Sequence, residues 1–185
     1  MSEESNPWKT QSSNIVYSNP WVDVHHDEII NPSGNEGIYG RVHFKNIAVG
    51  VIPLDDAYNT WIVGQYRYTL KNYSWEIPEG GCPMGTDPIE SAKRELLEET
   101  GITATEWLKI MDLHTSNSVT DEIAHLYLAT NLKFGVAQPE ETELLRIKKI
   151  PFDELYTITM NGEITDAMSV SAILKTKLLI DSGKI

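Results

Sequence analysis

The sequence predicts an α/β fold preceded by a small antiparallel β extension. Three observations carry that prediction. Residues up to Arg67 fall into short alternating or apolar segments separated by turn-prone residues. A helix with start and stop signals at both ends runs from Asp87 to Gly101. After further strand-like segments, the tail repeats apolar residues at helical spacing. With 185 residues, the chain suits one domain, or one domain with a modest extension, and its core needs no cross-links.

Residues 14–30 read as two extended pieces broken at Ser18-Asn19-Pro20, with Val22, Val24 and His26 alternating against polar neighbours, so an N-terminal hairpin is expected. Past Asn31-Pro32-Ser33-Gly34, strands are expected at 38–44, 46–54 and 61–67, the last two joined through Asp55-Asp56. An antiparallel meander is their simplest arrangement. Residues 1–45 then form the extension and 46–185 the main domain. Trp75-Glu76-Ile77 leads into Pro78-Glu79-Gly80-Gly81, read as a loop because glycine permits tight or left-handed backbone. In the helix that follows, Asp87 is the N-cap, Pro88 takes the first position, Glu90 completes a capping box and Gly101 is the stop. Strands are expected at 106–114 and 122–129, then an acidic loop at 139–143 and a strand at 144–150. Thr165 or Asp166 caps a terminal helix carrying Val170, Ile173, Leu174 and Leu178 on its apolar face.

Composition narrows the partners. With 27 acidic and 15 basic side chains the formal charge is −12, which repels phosphate backbones and argues against binding long nucleic acid. A phosphate ligand can still bind if cations bridge it to the protein. The single cysteine, Cys82, forms no intramolecular disulfide and is read as space-filling; the start MSEESNPWKT does not resemble a signal peptide, so a reducing cytoplasm is the expected location. Apolar runs such as 47–54 fall far short of the roughly 20 residues that cross a bilayer, and no membrane partner is expected.

The helix at 87–101 carries the chemistry. At about 100° per residue, Ile89, Ala92 and Leu96 share one face, with Leu97 at its edge. Glu95, Glu98 and Glu99 fall within an arc of about 100° beside that stripe. Three anions near a helix C-terminus oppose the helix dipole and repel one another, at roughly 0.3–1 kcal/mol each. A hard divalent cation removes both costs, and Mg²⁺ favours oxygen ligands completed by water and substrate phosphates. The plainer alternative is a solvated acidic face partnered by Lys93 and Arg94. The glycine-rich segment directly before the helix favours the metal.

The stretch Gly80-x5-Thr86-x7-Arg94-Glu95-Leu96-x-Glu98-Glu99-x-Gly101-Ile102 resembles the Nudix box, a 23-residue loop-helix-loop signature. Trp75-Glu76-Ile77-Pro78 before it, Gln65-Tyr66-Arg67 on the preceding strand and Glu141-x-Glu143 downstream are similar to the ADP-ribose and nucleoside-diphosphate-sugar branch. The box departs from the family pattern at Thr86, where a glutamate that pairs with the box arginine is usual; Glu90 or Glu98, each four residues from Arg94, can take that partner's place.

The resemblance implies an α/β/α Nudix sandwich with a mixed sheet, and Mg²⁺-dependent hydrolysis of a nucleoside-diphosphate sugar, with Mn²⁺ as a substitute ion. It assigns Glu95 and Glu99 as main metal ligands, Glu98 as a ligand or partner of Arg94, and the carbonyl of Glu79 as a further oxygen. Gly80, Arg94 and Gly101 are structural within the box. Arg67 contacts the substrate phosphates, its plain alternative being a surface strand residue, and Glu76 lies with it on the substrate side. The base that handles the attacking water matches Glu143 first, then Glu141 and Glu140, against the reading of a solvated acidic loop. Tyr17 and Trp21 stack on a nucleobase or pack at an interface, and a homodimer is implied. His25 and His26 point to opposite faces of a strand, which argues against a shared metal. Two rivals remain: diphosphate isomerisation, which nothing outside the box supports, and an ADP-ribose sensor without catalysis, whose mark would be damaged box carboxylates.

Overall fold

The computed structural model describes residues 5–137 and 144–185. The chain divides into two compact units, one running through Asn46 and including Ser116–Glu122, the other formed by Ile47–Thr115 and Ile123–Ile185.

In the first unit β1 (Lys9–Ser18), β2 (Val22–Ile30) and β3 (Glu36–Phe44) form an antiparallel sheet in that order. Asn19 makes the first turn, its Oδ1 accepting from the amides of Trp21 and Val22 at 2.8 Å. Asn31 makes the second in the same way, accepting from Ser33 and Asn35. Asp27 is buried in this sheet, where Ser13 Oγ donates to it at 2.5 Å and Arg41 Nε at 2.8 Å. The Ser13 hydroxyl first, and Arg41 after it, hold its carboxyl below the ordinary range despite burial. Residues 116–122 close on β3: Val42 N donates to Val119 O, Phe44 N to Asp121 Oδ1 and the Tyr39 hydroxyl to Ser118 O.

The second unit holds two sheets and three helices. One sheet has the order β7-β4-β9-β8, from β4 (Asn46–Pro53), β7 (Glu79–Pro83), β8 (Ile102–His114) and β9 (Ile123–Phe134). Within it β4 runs parallel to β9, and β8 antiparallel to β9. The other sheet, β10-β5-β6, is antiparallel and comprises β5 (Asn59–Arg67), β6 (Asn72–Glu76) and β10 (Arg146–Pro151). Alternation along β4 and β9 builds two cores. Val49, Val51, Tyr127 and Ala129 pack with Ala92 and Leu96 of α1 (Pro88–Thr100). Ile52, Leu54, Leu126 and Leu128 pack with Phe152 and Leu155 of α2 (Phe152–Met160) and with Met168, Ala172 and Ile173 of α3 (Ala167–Asp181). The sheet is therefore covered on both faces, as an α/β/α sandwich requires. No helix among the described residues is long and apolar enough to cross a membrane.

Several expectations are corrected. The strands at 46–54 and 61–67 do not form a meander: they lie in different sheets and meet only at the isolated bridge Leu54–Thr60. The continuous apolar run of β4 is the pattern of a strand buried on both faces and paired in parallel, which half-buried alternation does not describe. The glycine segment is part of strand β7, and neither Gly80 nor Gly81 has positive φ. At the start of α1, Asp87 accepts from Ile89 N at 3.2 Å, but Glu90 pairs with Lys93 at 2.7 Å in place of closing a capping box. Helix α2 follows β10 directly with no side-chain cap, so the usual start signal is missing from its sequence.

Candidate active site

Helix α1 is held at both ends. Pro88 follows the Asp87 cap, and Gly101 ends the helix at φ 71° with its amide donating to Leu97 O at 2.8 Å. Only glycine fits there, because a Cβ would also lie 2.6 Å from the Ala137 amide nitrogen. The buried pair Ala92 and Leu96 fixes the rotation of the helix, while Leu97 at the edge of the stripe is exposed. Glu95, Glu98 and Glu99 then flank strand β7.

Each carboxylate has a distinct setting. Glu99 is 2% exposed, and its Oε2 accepts from the Glu79 amide at 3.0 Å. Glu95 Oε1 lies 2.6 Å from Arg94 Nη2, and Glu98 Oε2 lies 2.6 Å from Arg94 Nη1. The same guanidinium donates to Gly81 O at 2.9 Å, tying α1 to β7. Glu98 thus serves as partner to Arg94 where the box glutamate is replaced by Thr86. Gly80 is required by contact: a Cβ there would stand 2.3 Å from both Cδ and Oε1 of Glu95.

A second cluster adjoins the first. Arg67 on β5 places Nε 3.0 Å from both oxygens of the buried Glu76, with Nη2 2.5 Å from Glu76 Oε2 and 3.3 Å from Glu79 Oε1. The forked contact to Glu76 raises the pKa of Arg67. Burial, followed by the charges of Asp166 and Glu76, raises the Glu79 carboxyl well above its usual range, with Arg67 opposing. Glu79 Oε2 is buried without a hydrogen-bond partner. Asp166 at the N-cap of α3 is the residue that sequence reasoning missed here. Its capping role was legible, but its approach to Glu79 joins elements far apart in the chain.

The structure therefore brings together Glu79, Gly80, Arg94, Glu95, Glu98 and Glu99, with Arg67 and Glu76 beside Glu79, while Gly101 closes the helix against residues 135–137. Tyr17 and Trp21 belong to the first unit and are exposed. Glu140, Glu141 and Glu143 lie outside the described residues. Among the described residues no three acidic, histidine or cysteine side chains form a ready-made metal cluster. Glu95 and Glu98 instead share Arg94. Even so, the donors gathered here are all oxygens, and Glu79 Oε2 is a buried oxygen without a hydrogen-bond partner. That set fits a hard divalent cation.

Comparison with known proteins agrees with this architecture. A model described as the NUDIX domain matches residues 44–169, and one described as the nucleoside diphosphate sugar hydrolase N-terminal domain matches residues 8–42. The ADP-ribose pyrophosphatase of Mycobacterium tuberculosis is 31% identical over 172 residues, which cover 90% of this chain and 82% of that protein. The ADP-ribose pyrophosphatase of Bacillus subtilis is 30% identical over 167 residues, 89% of this chain and 90% of its own. A solved structure described as an ADP compounds hydrolase superposes over the whole of both chains with a TM-score of 0.86 at 20% identity, a likeness of fold. With the family model spanning more than half of the sequence and the box residues gathered on α1 and β7, the chain belongs to the Nudix family.

Proposed function

We propose that the protein hydrolyses the pyrophosphate bond of nucleoside diphosphate sugars, ADP-ribose foremost, to a nucleoside monophosphate and a sugar phosphate. The observation that carries this reading is the carboxylate face of α1, with Glu99 held by the Glu79 amide and Arg67 beside it. The two ADP-ribose pyrophosphatases related over most of their length support the substrate class.

In this reading Glu95 and Glu99, with the Glu79 carbonyl, would hold Mg²⁺, Glu98 serving as a further ligand or as the partner of Arg94, and Mn²⁺ could replace the ion. When bound, the cation would supply neutralisation of the diphosphate charge and acidification of a water molecule. Glu76 fixes the plane of Arg67, so that the remaining edge of the guanidinium meets the diphosphate. Glu143 accepts the proton of the attacking water, with Glu141 and Glu140 as the alternatives. Tyr17 and Trp21 stack on the base within a homodimer built through residues 1–45, while residues 46–185 form the hydrolase domain. The protein acts in the cytoplasm, without nucleic-acid or membrane partners. A catalytically silent sensor is less well supported, because Glu95, Glu98 and Glu99 are all in place.

Two measurements test the assignment. At equal Mg²⁺, kcat/KM for ADP-ribose, GDP-mannose and UDP-glucose should exceed that for ATP by at least about tenfold. A third phosphate adds charge beside Glu76, whereas a neutral sugar does not. Preference for ATP would overturn the substrate class. Glu143→Gln should slow turnover with little change in substrate affinity, as expected for a group that acts in the transition state. If Glu141→Gln or Glu140→Gln is the crippled variant instead, the base has been misassigned within its loop.

A further inference from the structure

Ser169 is wholly buried in the first turn of α3, three residues after the cap, and its amide donates to Asp166 Oδ2 at 2.7 Å. A buried hydroxyl is a poor choice at such a place on packing grounds, since alanine forms helix better and carries no polar group to satisfy. Its Oγ has a specific partner: it accepts from the amide of Ile77, 92 residues earlier, at 3.0 Å. Ile77 stands between β6 and β7, outside either strand, so neither supplies a regular ladder partner for that amide.

The short link held in this way leads straight to the carboxylate face. Pro78 O accepts from Val51 N at 2.9 Å, and the next amide, that of Glu79, donates to Glu99 Oε2 at 3.0 Å. The Ile77 side chain lies against Gly50 of β4 together with Met168, the residue before Ser169; a Cβ on Gly50 would meet Ile77 Cδ1 at 2.8 Å and Met168 Cε at 3.1 Å. The start of α3, the 77–79 link and the centre of β4 are therefore packed as one block. Asp166, which caps that start, is also the first charged group acting on Glu79.

We propose that Ser169 is a positioning residue for cation binding: its hydroxyl fixes the 77–79 link so that the Glu79 amide orients the Glu99 carboxylate and the Glu79 carbonyl faces the same space. Ser169 touches neither substrate nor cation and acts through the backbone of Ile77 to Glu79. The inference rests on the proposed hydrolase reading, because it needs Glu99 and the Glu79 carbonyl to be ligands. At other metal sites, loss of one hydrogen bond that orients a ligand weakens metal binding by roughly 10- to 100-fold.

The test is Mn²⁺ titration of the substrate-free full chain, followed by electron paramagnetic resonance well below the melting temperature, for wild type, Ser169→Ala and Thr176→Val. Thr176 is a second buried hydroxyl on α3, one without a hydrogen-bond partner, so its loss controls for destabilisation of the helix alone. Ser169→Ala should weaken Mn²⁺ binding by at least about tenfold, with Thr176→Val within about twofold of wild type. With ADP-ribose, the Ser169→Ala defect should shrink as Mg²⁺ is raised, while KM for the sugar measured at saturating Mg²⁺ stays near wild type. Should Ser169→Ala not fold, Ser169→Cys keeps the volume with a weak acceptor and is read by the same titration. Unchanged Mn²⁺ affinity in a folded Ser169 variant overturns the proposal. If wild type binds Mn²⁺ yet cleaves no nucleotide sugar, the hydrolase reading fails while the positioning role is still read from the titration.

Discussion

Glu99→Gln is expected to lower kcat by at least about a hundredfold while leaving the fold intact, because on the proposed reading it removes a charged ligand from a site otherwise unchanged. Glutamine matches the volume of this 2%-exposed side chain, and its amide oxygen can still accept from Glu79 N. What is lost is the negative charge. Steady-state kinetics with circular dichroism and thermal melts check both halves. A folded Glu99→Gln enzyme within tenfold of wild type, or full wild-type turnover in excess chelator, would remove the cation from the mechanism.

Gly80→Ala is the second large effect, and it separates fold from function in a different way. The new methyl would sit 2.3 Å from the Glu95 carboxylate. The displaced atoms are the far end of a flexible side chain, so the helix and strand need not move and the melting temperature should change little. Catalysis tolerates much less, since a misplacement of about 1 Å in a catalytic constellation costs on the order of a hundredfold. The expected result is therefore a stable protein with kcat/KM for ADP-ribose lowered by about that factor. A marked fall in melting temperature with activity preserved per folded molecule would show that Gly80 serves packing alone.

Most of what is legible in the sequence rests on local signals. The cap at Asp87, the proline after it, the stop at Gly101 and the Ala92–Leu96 stripe each act within a few residues, and together they fix which way Glu95, Glu98 and Glu99 point. The strand positions were also local, being set by turn residues and alternation. Pairing was not local. Nothing in residues 46–54 says that their neighbour is the strand at 123–134, and the reading of a meander failed for that reason. The role of Gly80 was misread because its requirement is a contact with a side chain fifteen residues later rather than an unusual φ. Asp166 and Ser169 were invisible as neighbours of the site, since each faces a residue nearly ninety or more positions away. Arg67 was found through family likeness, yet its engagement with Glu76 needed the register of β5 against β6.

The return of Ser116–Glu122 to β3 has a consequence for how the chain comes into being. A nascent polypeptide that has emerged only as far as Asn46 contains every residue of β1, β2 and β3, but Val42 N, Phe44 N and the Tyr39 hydroxyl lack the acceptors they find in the finished molecule. Until roughly seventy more residues have been made, β3 is an open edge, the kind of surface on which strands of separate chains pair wrongly. Nor can a single cut release the N-terminal unit whole, because its last seven residues are carried between β8 and β9. Synthesis thus finishes the first unit only after about half of the second has been written.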